Sequence, residues 1–279
     1  MSKSDGNIIS PLTIINGGQN KKKDPAYGAD LLRLWAASVE YGRDVSIGPK
    51  VLAQSAETLR KLRNTVRFML ANLKDGEALG GDFDPTRREE LSLVDNYVML
   101  HLQQLEQTCR EAYRDYNFPR VVASLNRFAT NTLSSLYFDV TKDTLYADPV
   151  SHPTRRATIT VLSEVLHTLV PILAPILPHL AEEVNQTLKQ KTSSPSVSAF
   201  VSGWHEVPSD WNNPVVSQKM EALMQVRSEV MIALEQARKD KHIGGSLEAA
   251  LEIVLPAVIE KNSTSEIILA ERKSYRRPR

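Results

Sequence analysis

The residues best suited to chemistry stand at the start of the chain: Ser2, Lys3 and Ser4, with Gly6 and Asn7 just behind. A short loop of Lys, Ser and Gly can set an ammonium, two hydroxyls and several backbone N–H groups around a polyphosphate. That suits a nucleoside triphosphate such as ATP, where negative charge moves onto the leaving pyrophosphate and preorganised donors stabilise it. The tripeptide alone equally fits any exposed loop, so its context must decide. Glu182 and Glu183 form a second set, two carboxylates that suggest a metal or an acid–base pair. Adjacent helix residues point in different directions, which favours structural or solvent-facing roles. The six histidines are scattered and read as surface or satisfied core. No GxGxxG, Walker loop, His-x-x-x-His or Ser-His-Asp set stands out, and no metal site is expected.

A length of 279 residues allows one large domain or two modest ones, and an apolar fraction of 42% is ample for a core. The net charge of +1 announces no global affinity for nucleic acid, although recognition needs only a local patch. The single cysteine, Cys109, excludes a disulfide framework and a multi-Cys zinc site and fits a reducing compartment. No uninterrupted run approaches the roughly 20 apolar residues that cross a bilayer, and no membrane partner is expected.

The elements that must position these groups are mostly helices. Residues 8–24 read as a solvated loop, with Gly17-Gly18 and Lys21-Lys22-Lys23. Residues 29–41 read as a buried helix broken at 44–48. The clearest periodicity follows: Leu52, Leu59, Leu62, Val66, Met69 or Leu70, and Leu73 form one apolar stripe. Arg60, Lys61, Arg63 and Arg67 occupy the other positions and give the same helix a basic face, which is either solvated surface or a phosphate contact. After a loop over 74–85, a second helix carries Leu91, Val94, Val98, Leu102, Leu105, Cys109 and Ala112. Cys109 on that stripe is a core residue, not a nucleophile. A third helix from Pro119 buries Val122, Leu125, Phe128 or Ala129, Leu133 and Leu136. A fourth, from about Arg155, buries Ile159, Leu162, Val165 or Leu166, and Leu169, and Pro171, Pro175 and Pro178 should interrupt it. A last helix over 214–241 buries Met220, Leu223 or Met224, Val226 or Arg227, Val230, Met231 and Leu234, and stops at Gly244-Gly245. Residues 249–255 look strand-like.

The opening MSKSDGNIISP, the block YGADLLRLWAASVEYGRDVSIGPKVLAQSAETLRKLRNTVRFMLANL over 27–73, and LEQARKDKHIGGSLEAAL over 234–251 carry a resemblance. Together they resemble, in family order, the isoleucyl-tRNA synthetases, class I aminoacyl-tRNA ligases. The block RLWAASVEYGRDV favours the isoleucyl branch over valyl or leucyl relatives, and KDTLY resembles its bacterial and organellar form.

The resemblance implies a mainly α chain. Residues 1–45 would end the class I catalytic domain with its signature loop, and 46–200 would form the α-helical anticodon-binding bundle. Residues 201–261 would hold the C-terminal helix, the link with Trp204, Pro208 and Trp211, and the start of a small C-terminal module. The tail over 262–279 matches nothing in the family and reads as a basic tail or an out-of-frame continuation. Lys3 matches the second Lys of the signature and would stabilise charge on ATP, with Mg2+ accompanying it; Ser2 and Ser4 would bind and shape the loop. The Lys that normally precedes Met1 is absent, and so is the family's cysteine-rich zinc module. Arg60, Lys61, Arg63 and Arg67 would approach phosphates of tRNA-Ile, and Lys21–Lys23 are either solvated loop or a further phosphate contact. The His-Ile-Gly-His-type motif, the isoleucine pocket and the editing domain belong upstream, so this stretch alone is expected to be inactive and monomeric. Its place would be the mitochondrial matrix in a eukaryote or the cytoplasm in a bacterium. The alternative is a free-standing tRNA-binding module without catalysis.

Overall fold

The computed structural model describes residues 4, 8–22, 24–73, 88–192, 197–245 and 248–253. Two compact units are present, residues 1–212 and 213–279. Helices dominate, and no strand occurs among the described residues.

In the first unit, α1 (Pro11–Asn16) and α2 (Ala29–Ser38) precede the long α3 (Pro49–Asn72). Proline at the first turn of α1 and α3 gives up an N–H that has no helical partner in any case. The capping box of α4 (Leu93–Arg114) is reciprocal: the Asp95 N–H donates to Ser92 Oγ at 3.1 Å, and the Ser92 N–H donates to Asp95 Oδ2 at 3.0 Å. At its far end Tyr116 takes φ 53°, and the Asn117 N–H reaches back to the Ala112 carbonyl at 2.7 Å. That closes a Schellman-type cap with tyrosine where glycine is usual.

One helical run then passes through α5 (Phe118–Arg127), a π-helical stretch (Phe128–Tyr137) and α6 (Phe138–Ala147). The π register widens the buried face, so Phe128 and Ala129 are both inward. Ser134 and Ser135 donate to carbonyls five residues back, Ala129 and Thr130, each at 2.8 Å. The KDTLY motif lies within helix α6. Next come α7 (Pro153–Leu173) and α8 (Pro178–Thr192). Length and apolarity alone would let α7 cross a membrane, but 78% of its most apolar window is buried in the bundle.

The main core joins α3 to α8 through residues such as Leu62, Met69, Leu102, Leu133, Leu162 and Leu166. A smaller cluster of Ile14, Leu31 and Leu52 ties α1 and α2 to the first turns of α3, with Leu59 packed against both. Cys109 is fully buried, and burial pushes its thiol up to about 12, which makes it inert at neutral pH.

Several boundaries depart from expectation. The 8–24 loop contains α1, because Ile14 finds a buried place against Leu31. Helix α2 ends at Ser38, before the predicted break, with Val39 already extended. Pro171 does not interrupt α7: it sits in the last turn, where the only helical bond lost is to the carbonyl of exposed His167. The break falls at 174–177 instead. In the second unit, α9 (Pro214–Lys239) ends before Gly244, with Lys241 at φ 58° in the left-handed position. Met220 and Leu234 are its buried residues, whereas Met231 is exposed. Residues 249–253 form no strand, and Leu251 and Ile253 are exposed. The loop over 74–85, residues 254–255 and the 262–279 tail lie outside the described residues.

Candidate nucleic-acid interface

At 100° per residue, Arg60, Arg63 and Arg67 fall within roughly a 60° arc of α3, away from Leu62, Val66 and Met69. Lys61 lies about 100° from Arg60 on the other flank. All four cations are exposed. Arg60 donates from Nε and Nη2 to the Glu57 carboxylate at 2.8 and 2.6 Å. That hydrogen bond holds the Glu57 carboxyl below its ordinary range and raises the Arg60 guanidinium. Arg63 reaches across to pair with Glu183 of α8. Arg67 and Lys61 form no ion pair with a described residue. Arg63, Asn64, Arg67, Leu70, Glu183 and Thr187 are among the residues lining a groove of about 430 Å³ between α3 and α8.

What positions α8 comes from α2. Asp30 Oδ2 accepts the Leu180 N–H at 2.9 Å, and Oδ1 accepts the His179 N–H at 3.3 Å. A side chain 150 residues away thus serves as the N-cap of α8 and complements the positive end of its dipole. Arg33, three residues on, donates to the carbonyls of Ile176 and Pro175 at 3.1 and 2.7 Å. Asp30 and Arg33 together satisfy the polar groups that the proline-rich break leaves open. Nothing in the local sequence signals this pairing.

Glu182 and Glu183 point apart, as their adjacency requires. Glu182 accepts from Ser198 Oγ and the Ala199 N–H at 2.9 and 2.8 Å, while Glu183 faces the groove. Segment 197–212 is docked onto the bundle rather than trailing from it. Buried Glu106 accepts the Trp204 indole N–H at 2.5 Å and is chelated by Arg110. Arg88 stacks over Trp211 at 4.1 Å and donates to the Asp210 carbonyl at 2.6 Å.

His205 Nε2 and Glu164 Oε2 meet at 3.1 Å. The hydrogen bond raises the imidazole above its ordinary 6.5 and lowers the carboxyl below its ordinary 4.5. Stability from the raised His205 is complete below 6.5 and is lost as pH rises through its folded value. Stability from the depressed Glu164 is complete above 4.5 and is lost as pH falls through its folded value. A double-mutant cycle with His205→Gln and Glu164→Gln is therefore expected to show maximal coupling between those two values. The pair is partly exposed, so the coupling should stay below about 1 kcal/mol. Coupling that is flat from acid to alkaline pH would contradict this.

Of the phosphate-loop residues, Ser2 and Lys3 lie outside the described residues, and Ser4 sits exposed in a turn. Lys21 and Lys22 are exposed; Lys23 is outside the described residues. Among the described residues no cluster of three His, Cys, Asp or Glu side chains could hold a metal ion.

Comparison with known proteins adds to this geometry. Residues 95–255 match the family described as the anticodon-binding domain of tRNA ligase, and residues 1–48 match the class I tRNA synthetases for I, L, M and V. An isoleucine–tRNA ligase of a Synechococcus species is 40% identical over 91% of this chain and 26% of its own length. Those of Gloeobacter violaceus and a Synechocystis species are 42% and 41% identical over 91% and 94% of this chain, and 25% and 26% of their own lengths. The chain thus spans about a quarter of these cyanobacterial relatives. A solved LeuRS from Agrobacterium radiobacter, in ternary complex with tRNA and LeuAMS, shares the fold at a TM-score of 0.53 and 13% identity. That match covers 76% of this chain and 23% of the LeuRS.

Proposed function

The chain belongs to the anticodon-binding domain family of tRNA ligases, and on that basis we propose that it is the tRNA-gripping portion of an isoleucine–tRNA ligase. The observation that carries this reading is 40% identity to such ligases along 91% of the chain. The exposed arginine strip on α3 supports it, because guanidinium groups placed opposite a packed core can meet a phosphate backbone without disturbing the fold.

In the reaction assigned to the whole ligase, isoleucine is activated with ATP and then transferred to the 3′ end of tRNA-Ile. Within this stretch, Lys3 is assigned to the ATP phosphates as a point charge, with Ser2 and Ser4 hydrogen-bonding beside it. Mg2+ would accompany ATP as part of the substrate complex. The bundle is assigned to tRNA, as a monomer. No residue of this stretch is assigned to the isoleucine pocket.

The test is direct binding. Anticodon stem-loops with the isoleucine, valine and a scrambled anticodon, each fluorescently labelled, are titrated with the chain at low salt. The isoleucine stem-loop is expected to bind tightest, since unstacked loop bases offer edges and faces that a helical surface can read. Equal binding of all three would remove the anticodon-reading assignment. Absence of binding to any would remove the tRNA assignment for this stretch.

A further inference from the structure

We infer that the groove between α3 and α8 is a subsite for one backbone phosphate of a folded RNA, and that Glu183 is the resident anion which the phosphate displaces from Arg63. The inference rests on the tRNA-binding reading above and assigns that reading a place and a controlling residue.

The groove already holds one anion beside an arginine. Arg63 reaches one oxygen of the Glu183 carboxylate through Nη2, so its guanidinium stands where a second anion could meet it. Carboxylate and phosphate present the same pair of oxygens to a guanidinium. Arg67, one turn further along α3, lines the same groove and forms no ion pair with a described residue. Two guanidiniums and one carboxylate therefore share the groove. Both partners of the Arg63–Glu183 pair are more than half exposed, 55% and 60%, and exposed pairs hold weakly. A phosphate engaging Arg63 and Arg67 together has more donors than Glu183 alone commands.

Glu183 in turn stands at a fixed height, because Asp30 and Arg33 pin the first turn of α8 and the break before it. It acts as a filter. A polyanion that meets only one arginine suffers the repulsion of the carboxylate, whereas a backbone that fits both arginines displaces it.

The experiment uses the full chain, a labelled isoleucine anticodon stem-loop and a salt titration of binding. Glu183→Gln keeps the size of the side chain and removes its charge. It is expected to raise affinity about two- to fivefold, the scale of an exposed ion pair. The slope of log K against log salt should hardly change, because Arg63 neutralises the same phosphate in both forms. In an Arg63→Gln background the same substitution should give a clearly smaller gain, because only the repulsion between the carboxylate and the RNA is then relieved. Wild-type binding with no response to Glu183→Gln would overturn the inference while leaving the tRNA reading intact. An equal gain in the Arg63→Gln background would also overturn it, since the effect would then be bulk charge. If no form binds the RNA, the inference falls together with the reading beneath it.

Discussion

Replacing Asp95 with alanine is expected to destabilise the first unit by roughly 2–4 kcal/mol, a large share of what a domain possesses. Asp95 is 2% exposed and accepts three hydrogen bonds. Two come from the Ser92 N–H at 3.0 Å and the Ser92 hydroxyl at 2.6 Å, and the third comes from the Tyr137 hydroxyl at 2.6 Å. Losing the carboxylate would remove the capping box of α4 at a cost of about 1 kcal/mol. It would also strip the buried Tyr137 hydroxyl of this acceptor, which costs a further 1–3 kcal/mol or so. The carboxylate joins α4 to the π-helical stretch, so the damage should spread across the bundle rather than fray one end. Tyr137→Phe removes a single donor and should cost about 1–2 kcal/mol. Urea denaturation monitored by circular dichroism compares the two. An Asp95→Ala midpoint matching the wild type would mean that this network contributes little.

The stripes on α3, α4 and α7 were legible because a 3.6-residue period needs only a few neighbours to declare itself. Ambiguity arose where the periodicity itself changes. Phe128 and Ala129 competed for one inward position, and the π register makes room for both. Val165 and Leu166 are likewise both buried, since α7 is surrounded on most sides. Pro171 misled because proline's penalty depends on position: in the final turn it forfeits one bond to an exposed residue, not a helix.

The candidate site was legible only in part. The arginine spacing on α3 is a local property, and the sequence shows it. The partner of Arg63 lies 120 residues away, and the cap of α8 is 150 residues from the helix it serves. Such pairings depend on which helices pack side by side, and no local pattern encodes that. The docking of Trp204 on Glu106, 98 residues apart, was hidden for the same reason.

Everything proposed for the bundle depends on the exposed face of α3 meeting the phosphates of tRNA. Arg60, Arg63 and Arg67 all lie off the core, so changing the three to alanine should leave the urea midpoint of the chain almost unmoved. Binding should change markedly. Each arginine that neutralises a phosphate releases a counterion, and Arg60 and Arg63 already share their charge with Glu57 and Glu183. The triple variant is therefore expected to flatten the salt slope by about two and to bind the isoleucine anticodon stem-loop at least about tenfold more weakly at low salt. The decisive measurement is the salt titration of that binding for the wild-type chain beside the Arg60→Ala, Arg63→Ala, Arg67→Ala variant. Two lines of different slope that converge as salt rises are the predicted result. Superimposable lines would show that α3 is only solvated and would contradict the assignment of this face to tRNA.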